Sequence, residues 1–406
     1  MLLTIGKFAM RCEVKGIFEI VKEKGLEYKV LSPAVDYLRS SIARFTNINE
    51  FNFDRSDYLE SQYKNRKISV DPCICVDLRD AIVLLDGTII VDGCIVKDTV
   101  PGVVVKQRQR YKLLSPVDGD AWEVDVSGIV NSPVELAVCT TRYGIQYYGY
   151  WLAEILPRLY AARSEIPPNA SILMPANFTS PPDGQPSGMW KAIQQSLELA
   201  GIAFGSVISL PEAGMRIPRL RYVSKMGPTD RKAPAIFECF RELSGRVGAR
   251  TSDRRIYVTR HDVADRRVHN EDEVMSLLGK HGFEYIRVSE YDFAGQVELF
   301  SSASVIAGPL GSALTNIAFA RSGTAILPMI PAHWDDMFFY DLAALGGMYW
   351  YEVRGPLSTN VHKLYHRNDF EVDLPTLRRA LALIEEDSDR TKPVRSRGPY
   401  PLPAQI

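Results

Sequence analysis

Three short segments hold residues whose types and spacing could do chemistry. The first is Ala303-Ser304-Val305-Ile306-Ala307-Gly308-Pro309-Leu310-Gly311-Ser312-Ala313-Leu314-Thr315-Asn316. It reads as a buried strand that breaks at two glycines and re-emerges as a helix capped by Ser312. Glycines let backbone amides approach an anion closely, and a helix start offers unbonded amides at the favourable end of its dipole. Phosphate is the anion such a turn suits. Any tight strand-to-helix turn uses the same residue types, so this segment alone leaves both readings open.

The second segment is Arg255-Ile256-Tyr257-Val258-Thr259-Arg260, followed by Arg266-Arg267-Val268-His269-Asn270-Glu271. Arg260 falls at the carboxyl end of a predicted strand, the edge where α/β folds collect ligands. Guanidinium is shaped for bidentate contact with a diphosphate. Arg266 and Arg267 precede a predicted helix that Asn270 or a neighbour could cap; adjacent arginines also serve as a solvated surface feature.

The third segment is Tyr147-Tyr148-Gly149-Tyr150-Trp151-Leu152-Ala153-Glu154-Ile155-Leu156-Pro157-Arg158-Leu159. At helical spacing Tyr148, Trp151, Leu152, Ile155 and Leu159 form an apolar stripe, and Tyr147, Tyr150, Glu154 and Arg158 share another face. That places one carboxylate between aromatic rings and a guanidinium. Pro157 removes a helix hydrogen bond and predicts a kink within one turn of Glu154. The plainer alternative is a surface Glu154–Arg158 pair at i,i+4.

Regular elements must hold these groups in place. After Val134, short β-rich runs alternate with helical stretches, the pattern of a parallel sheet covered by helices. Strands are predicted at 134–140, 171–174 and 206–210, with helices at 146–162 and 187–200. The alternation resumes with strands near 255–259, 283–287, 303–307, 324–327 and 348–353. Between the two runs, 225–232 is turn-like and charged and reads as a hinge. Upstream, Asp86-Gly87 and Asp92-Gly93 between β-rich runs predict a meander. Residues 1 to about 70 show little regular pattern, and the proline-rich stretch after 387 reads as a tail.

Composition narrows the classes. A chain of 406 residues, 46% of them apolar, exceeds what one core usually organises. Its 48 basic and 49 acidic residues leave a net charge of -1 and no global field for nucleic acid. Six scattered cysteines fit a reducing compartment. Cys73 and Cys75 lack a second ligand pair at zinc spacing and read as buried strand thiols. The first residues lack the features of a signal peptide, and no apolar run is long enough to span a membrane. P-loop, nucleophile-elbow and His-Glu-x-x-His motifs are absent, and no strand leads into Gly-x-Gly-x-x-Gly.

In order and spacing, the three segments resemble glycosyltransferase family 61 over roughly residues 75 to 355. That family's aromatic helix ending in Leu-Pro-Arg-Leu is similar to Tyr148 through Leu159. Its strand ending in Ser/Thr-Arg, then Arg-Arg and Asn-Glu, is similar to Thr259-Arg260, Arg266-Arg267 and Asn270-Glu271. Its Gly-Pro-His-Gly-Ala-x-Leu-Thr-Asn is similar to Gly308 through Asn316. The chain departs from the family at three points: Tyr150 and Leu310 stand where it has His, and Pro328 where it has Glu.

The resemblance implies an inverting sugar transferase of the bacterial capsular polysaccharide type, with a nucleotide-sugar donor and a glycan acceptor. The expected fold is α/β: two Rossmann-like domains facing across a cleft, the GT-B type, with an N-terminal β-rich extension. The boundaries are 1–130 for the extension, 131–228 for the acceptor-side domain, 229–386 for the nucleotide-sugar domain and 387–406 for the tail. Glu154 is the expected base, with Tyr150 beside it. Donor contacts are expected from Arg260, Arg266, Arg267, Gly308, Gly311, Ser312, Thr315 and Asn316. No metal or cofactor is expected if arginine and amides carry the diphosphate, and Asp118-Gly119-Asp120, although at metal-binding spacing, also fits an ordinary turn. The expected location is the cytoplasm, with peripheral contact to membrane-bound polysaccharide machinery left open. The alternative is a catalytically degenerate relative that acts as a binding or scaffold partner in polysaccharide assembly; a dinucleotide-dependent oxidoreductase is a distant third.

Overall fold

The computed structural model of the chain describes residues 9–51, 55–179, 187–248, 252–261, 263, 265–358 and 367–390. The chain forms two compact units, one from Met1–Pro33 with Pro72–Met226 and the other from Ala34–Asp71 with Gly227–Ile406. The later boundary falls inside the turn-rich 225–232 stretch. The 1–130 stretch is not a domain of its own: most of it completes the first unit's sheet, and 34–71 joins the second unit.

In the first unit, strands Ser206–Leu210, Ser171–Pro175, Leu136–Cys139 and Met215–Val223 lie side by side and parallel. Strand Met215–Val223 then pairs antiparallel with Cys73–Val83, which begins the meander through Ile89–Val91 and Cys94–Val96. The Asp-Gly turns form as the sequence predicts, with Gly87 at φ 85° and Asp92 and Gly93 at 48° and 72°. Ile74, Val76 and Leu78 alternate inward along the long pair and form one core with Ile217, Leu220, Leu173 and Ala137. Cys73 and Cys75 are buried there, and burial pushes both thiols up to about 11.

The second unit has six parallel strands in the order Phe283–Ile286, Arg254–Val258, Ala303–Pro309, Ala325–Pro331, Tyr349–Gly355, Ala43–Thr46. The order therefore reverses between Arg254–Val258 and Ala303–Pro309. Tyr257, Val305, Ala307, Leu327 and Val353 pack one face against helices Glu271–Lys280 and Leu374–Arg390. Helix Leu374–Arg390 runs through 387–390, so the tail begins later than the sequence suggests; 391–406 lie outside the described residues.

Segment 34–71 is held to the second unit by buried charge. Arg39 donates to Asp341 at 3.1 Å, and Asp341 also accepts from the Lys232 amide at 2.9 Å. Glu352 accepts from Tyr63, Trp350, Thr46 and Arg354 at 2.5 to 3.1 Å. Removing one partner from such a network leaves an uncompensated buried charge, which costs about 3–5 kcal/mol. Among the described residues no helix is long and apolar enough to cross a membrane.

Candidate functional site

In the second unit, strand Arg254–Val258 delivers Thr259 and Arg260 to the carboxyl edge, at the point where strand order reverses. Thr259 Oγ1 and the Tyr257 hydroxyl both donate to Glu271, at 2.7 and 2.8 Å. Burial and the Glu271 carboxylate hold the Tyr257 hydroxyl well above its ordinary range. The start of helix Glu271–Lys280 is thereby pinned to the strand that carries Arg260.

Next to it, strand Ala303–Pro309 passes so near that a Cβ at Gly308 would lie 2.6 Å from the Val258 carbonyl oxygen. Gly308 is required for strand approach. Gly311 has a different reason: its backbone is extended, and a Cβ there would collide with the Arg260 guanidinium, 2.7 Å from Cζ. Arg260, 9% exposed, is held from the other side by Nη2 donating to the Asp265 carbonyl at 2.9 Å.

The element after Gly311 is a 3-10 helix, Ser312–Phe319, where an α-helix was expected. Ser312 is its first residue and makes no capping bond; Gly311 occupies the cap position. Asn316 Nδ2 donates to the Ala313 carbonyl three residues back at 3.1 Å and to Gln296 at 3.0 Å, which ties the turn to the neighbouring helix Phe293–Ser302. Thr315 and Asn316 are fully buried, and Thr315 Oγ1 makes no hydrogen bond. They support the turn from beneath.

The two following arginines separate. Arg267 donates through Nε and Nη2 to Asp369 at 3.0 and 2.9 Å, an exposed pair. Arg266 adopts φ 58°, which is strained for a residue with a side chain, and stacks 4.9 Å above the Trp334 ring.

In the first unit, Pro157 acts on the helix as expected in kind but differently in form. Its ring cannot tolerate the carbonyl four residues back, and the preceding turn, Trp151–Ile155, widens into a π-helix before α-helix Leu156–Ala161 resumes. The stretch is buried on every side, which overturns the surface-pair alternative. Glu154 is 9% exposed and Arg158 7%. Among the described residues Arg158 reaches only the carbonyls of Glu154, at 2.7 Å, and Val223, at 3.1 Å.

The carboxylate of Glu154 pairs instead with Arg142, a residue not foreseen from sequence. Arg142 follows strand Leu136–Cys139 at its carboxyl end and lies 4.0 Å over the ring of Tyr150. Tyr150 fits because Gly144, at φ 80°, has no Cβ to meet its Cε2 2.6 Å away. Lys225, just beyond strand Met215–Val223, completes the cluster. Burial first, then Arg142, lower its affinity for a proton, and Glu154 partly offsets them. The overlooked signal is a repeated one: Thr141-Arg142 and Thr259-Arg260 each follow a parallel strand.

Asp118-Gly119-Asp120 forms a turn with Gly119 at φ 68° and Asp120 fully exposed. Among the described residues no group of three or more His, Cys, Asp or Glu is placed to hold a metal.

Residues 148–327 match the family model described as Glycosyltransferase 61, a span that contains Glu154, Arg260 and the Gly308–Asn316 turn. No curated protein matches the chain.

Proposed function

We propose, for a chain that belongs to glycosyltransferase family 61 through residues 148–327, that its transferase activity takes a sugar from a nucleotide-sugar donor to a glycan hydroxyl with inversion. The observation that carries the reading is the seat of Arg260 on Gly311, at the reversal of strand order where open parallel sheets bind ligands. The nucleoside diphosphate docks there, on the Arg260 guanidinium and the amides that open the Ser312–Phe319 turn.

The first unit supplies the acceptor side, the division of labour of a GT-B transferase. In a single displacement, the acceptor oxygen bonds to the anomeric carbon as the bond from that carbon to the diphosphate oxygen breaks. Glu154 takes the hydroxyl proton, and Tyr150 and Arg142 position its carboxylate. Arg260 and the turn amides stabilise charge developing on the leaving diphosphate, usually the largest contribution in a site that excludes water. The product glycan belongs to polysaccharide assembly.

Titration with nucleoside diphosphates, followed by a hydrolysis screen of nucleotide sugars, tests the reading. Binding together with slow hydrolysis of at least one donor is expected. A protein that binds no nucleotide refutes it. Nucleotide binding with neither transfer nor hydrolysis across a broad panel favours the scaffold alternative, in which Leu310 and Pro328 replace side chains that once held the donor.

A further inference from the structure

We propose that the first unit carries an oxyanion site of its own, formed by Arg142, Arg158 and Lys225, and that it binds a carboxylate or phosphate borne by the acceptor. The assignment to an acceptor rests on the division of labour proposed above; the anion site itself does not.

Strand register brings the three cations together. In the parallel pair of Leu136–Cys139 with Met215–Val223, Val138 lies opposite Arg221. Arg142 follows one of these strands and Lys225 the other, and the two cations are near enough to act on each other electrostatically. Arg158 reaches the same edge from the helix, where its Nη1 is bonded to the Val223 carbonyl two residues before Lys225.

The cluster carries more positive charge than its surroundings neutralise. Among the described residues, Arg158, itself buried, bonds only to carbonyl oxygens. Lys225 makes no hydrogen bond or ion pair with any described residue. Among the described residues Glu154 is the one carboxylate bonded within the group, through Arg142, and Asp98 acts on Lys225 more weakly than either arginine. Counted against Glu154 and Asp98, the two acids that act on Lys225, the three cations leave one positive charge over. A partly buried cationic excess is costly unless an anion completes it, and a ligand oxyanion can do so with charge-assisted hydrogen bonds. The location narrows its source, because Arg142 of the cluster holds the Glu154 carboxylate to which the acceptor proton is assigned above. An acidic group on the acceptor would orient its hydroxyl toward that carboxylate.

Inorganic phosphate is the first probe, applied by calorimetry to the full-length chain carrying Arg260→Ala, which removes the proposed diphosphate contact. Phosphate should still bind. Adding Lys225→Met should weaken it by about tenfold or more, whereas Lys225→Arg should retain it. Equal binding by the Met and Lys forms overturns the site, as does loss of phosphate binding on Arg260→Ala alone. Glucuronate, glucose 6-phosphate and glucose then compete against phosphate. Displacement by glucuronate assigns a carboxylate and displacement by glucose 6-phosphate a phosphoryl group. Failure of both, or equal displacement by glucose, refutes an acidic acceptor while leaving the nucleotide reading of the second unit standing.

Discussion

The guanidinium of Arg260 fills the space that a side chain on Gly311 would need, with Cζ 2.7 Å from the position of a Cβ. One residue's lack of a side chain thus sets the other's position. Gly311 is extended rather than left-handed, so alanine there carries no backbone strain and acts through Arg260 alone. Gly311→Ala should weaken nucleoside diphosphate binding by about tenfold, the loss expected for a misplaced charge-assisted contact. Arg260→Ala should weaken it by roughly 2 kcal/mol. Calorimetry on the double variant should show strong non-additivity, since both changes remove the same contact. Simple addition of the two losses would show that Gly311→Ala acts on the ligand by a route other than Arg260.

Glu154→Gln preserves shape but cannot accept a proton. Turnover should fall by roughly 10²–10⁴, the span for loss of a general base, with donor affinity unchanged. Full turnover in a folded variant would make Glu154 a structural partner of Arg142.

Arg142→Met leaves the Glu154 carboxylate buried without its guanidinium. Denaturant unfolding should show a loss of about 3–5 kcal/mol. Turnover of whatever fraction stays folded should fall as well, because the carboxylate loses the guanidinium that positions it. Unchanged turnover in the folded fraction would separate the ion pair from catalysis.

Lys225→Met should stabilise the unliganded protein, because burial beside Arg142 and Arg158 disfavours the ammonium. The pH dependence follows from the direction of the shift. Below the lowered folded-state value both states carry the proton, and the folded protein bears the full penalty. Between that value and the ordinary 10.5 the folded state sheds the proton first, so stability rises with pH. The advantage of the Met variant, read as a difference in unfolding midpoint, should therefore narrow toward alkaline pH. A variant less stable than the parent at neutral pH would contradict this.

Asp341→Ala strands Arg39 in the interior of the second unit, where both side chains are almost fully buried. The expected loss is about 3–5 kcal/mol. It should appear in equilibrium unfolding, with the transition that reports the second unit affected first.

Local pattern made the parallel strands legible. Ser171–Pro175, Ser206–Leu210, Arg254–Val258 and Ala303–Pro309 all fall within about two residues of their predicted spans, because each is a short apolar run flanked by turns. Strand Met215–Val223 is hard to read because Pro218-Arg219 breaks its apolar alternation. Its partner tolerates this: Pro218 is skipped in the register, and Asp80 on the facing strand bends to φ 52°. Strand Ala43–Thr46 was unreadable for a different reason, since its pairing with Tyr349–Gly355 leaves no trace in neighbouring sequence. At the site, Arg260 and the glycine turn could be read from strand ends and residue type. The burial of Glu154 could not, because an amphipathic helix pattern assumes one wet face, and tertiary packing covers both.

The sharing of residues 34–71 with the second unit also bears on how the chain is made. Thr46 hydrogen bonds with Glu352, 306 positions later. At roughly 5–20 residues per second of synthesis, the early strand waits about 15–60 s for its partner to leave the ribosome. The first unit has all its strands once residue 226 has emerged, and it can close with 34–71 held out as a loop. During that interval Tyr37, Ile48 and Leu59, which are buried in the finished protein, have no second unit to cover them. A nascent chain stalled between the two boundaries should therefore be a substrate for chaperones that bind exposed apolar segments, and a fragment beginning at Gly227 should lack an edge strand of its sheet however long it is given to refold.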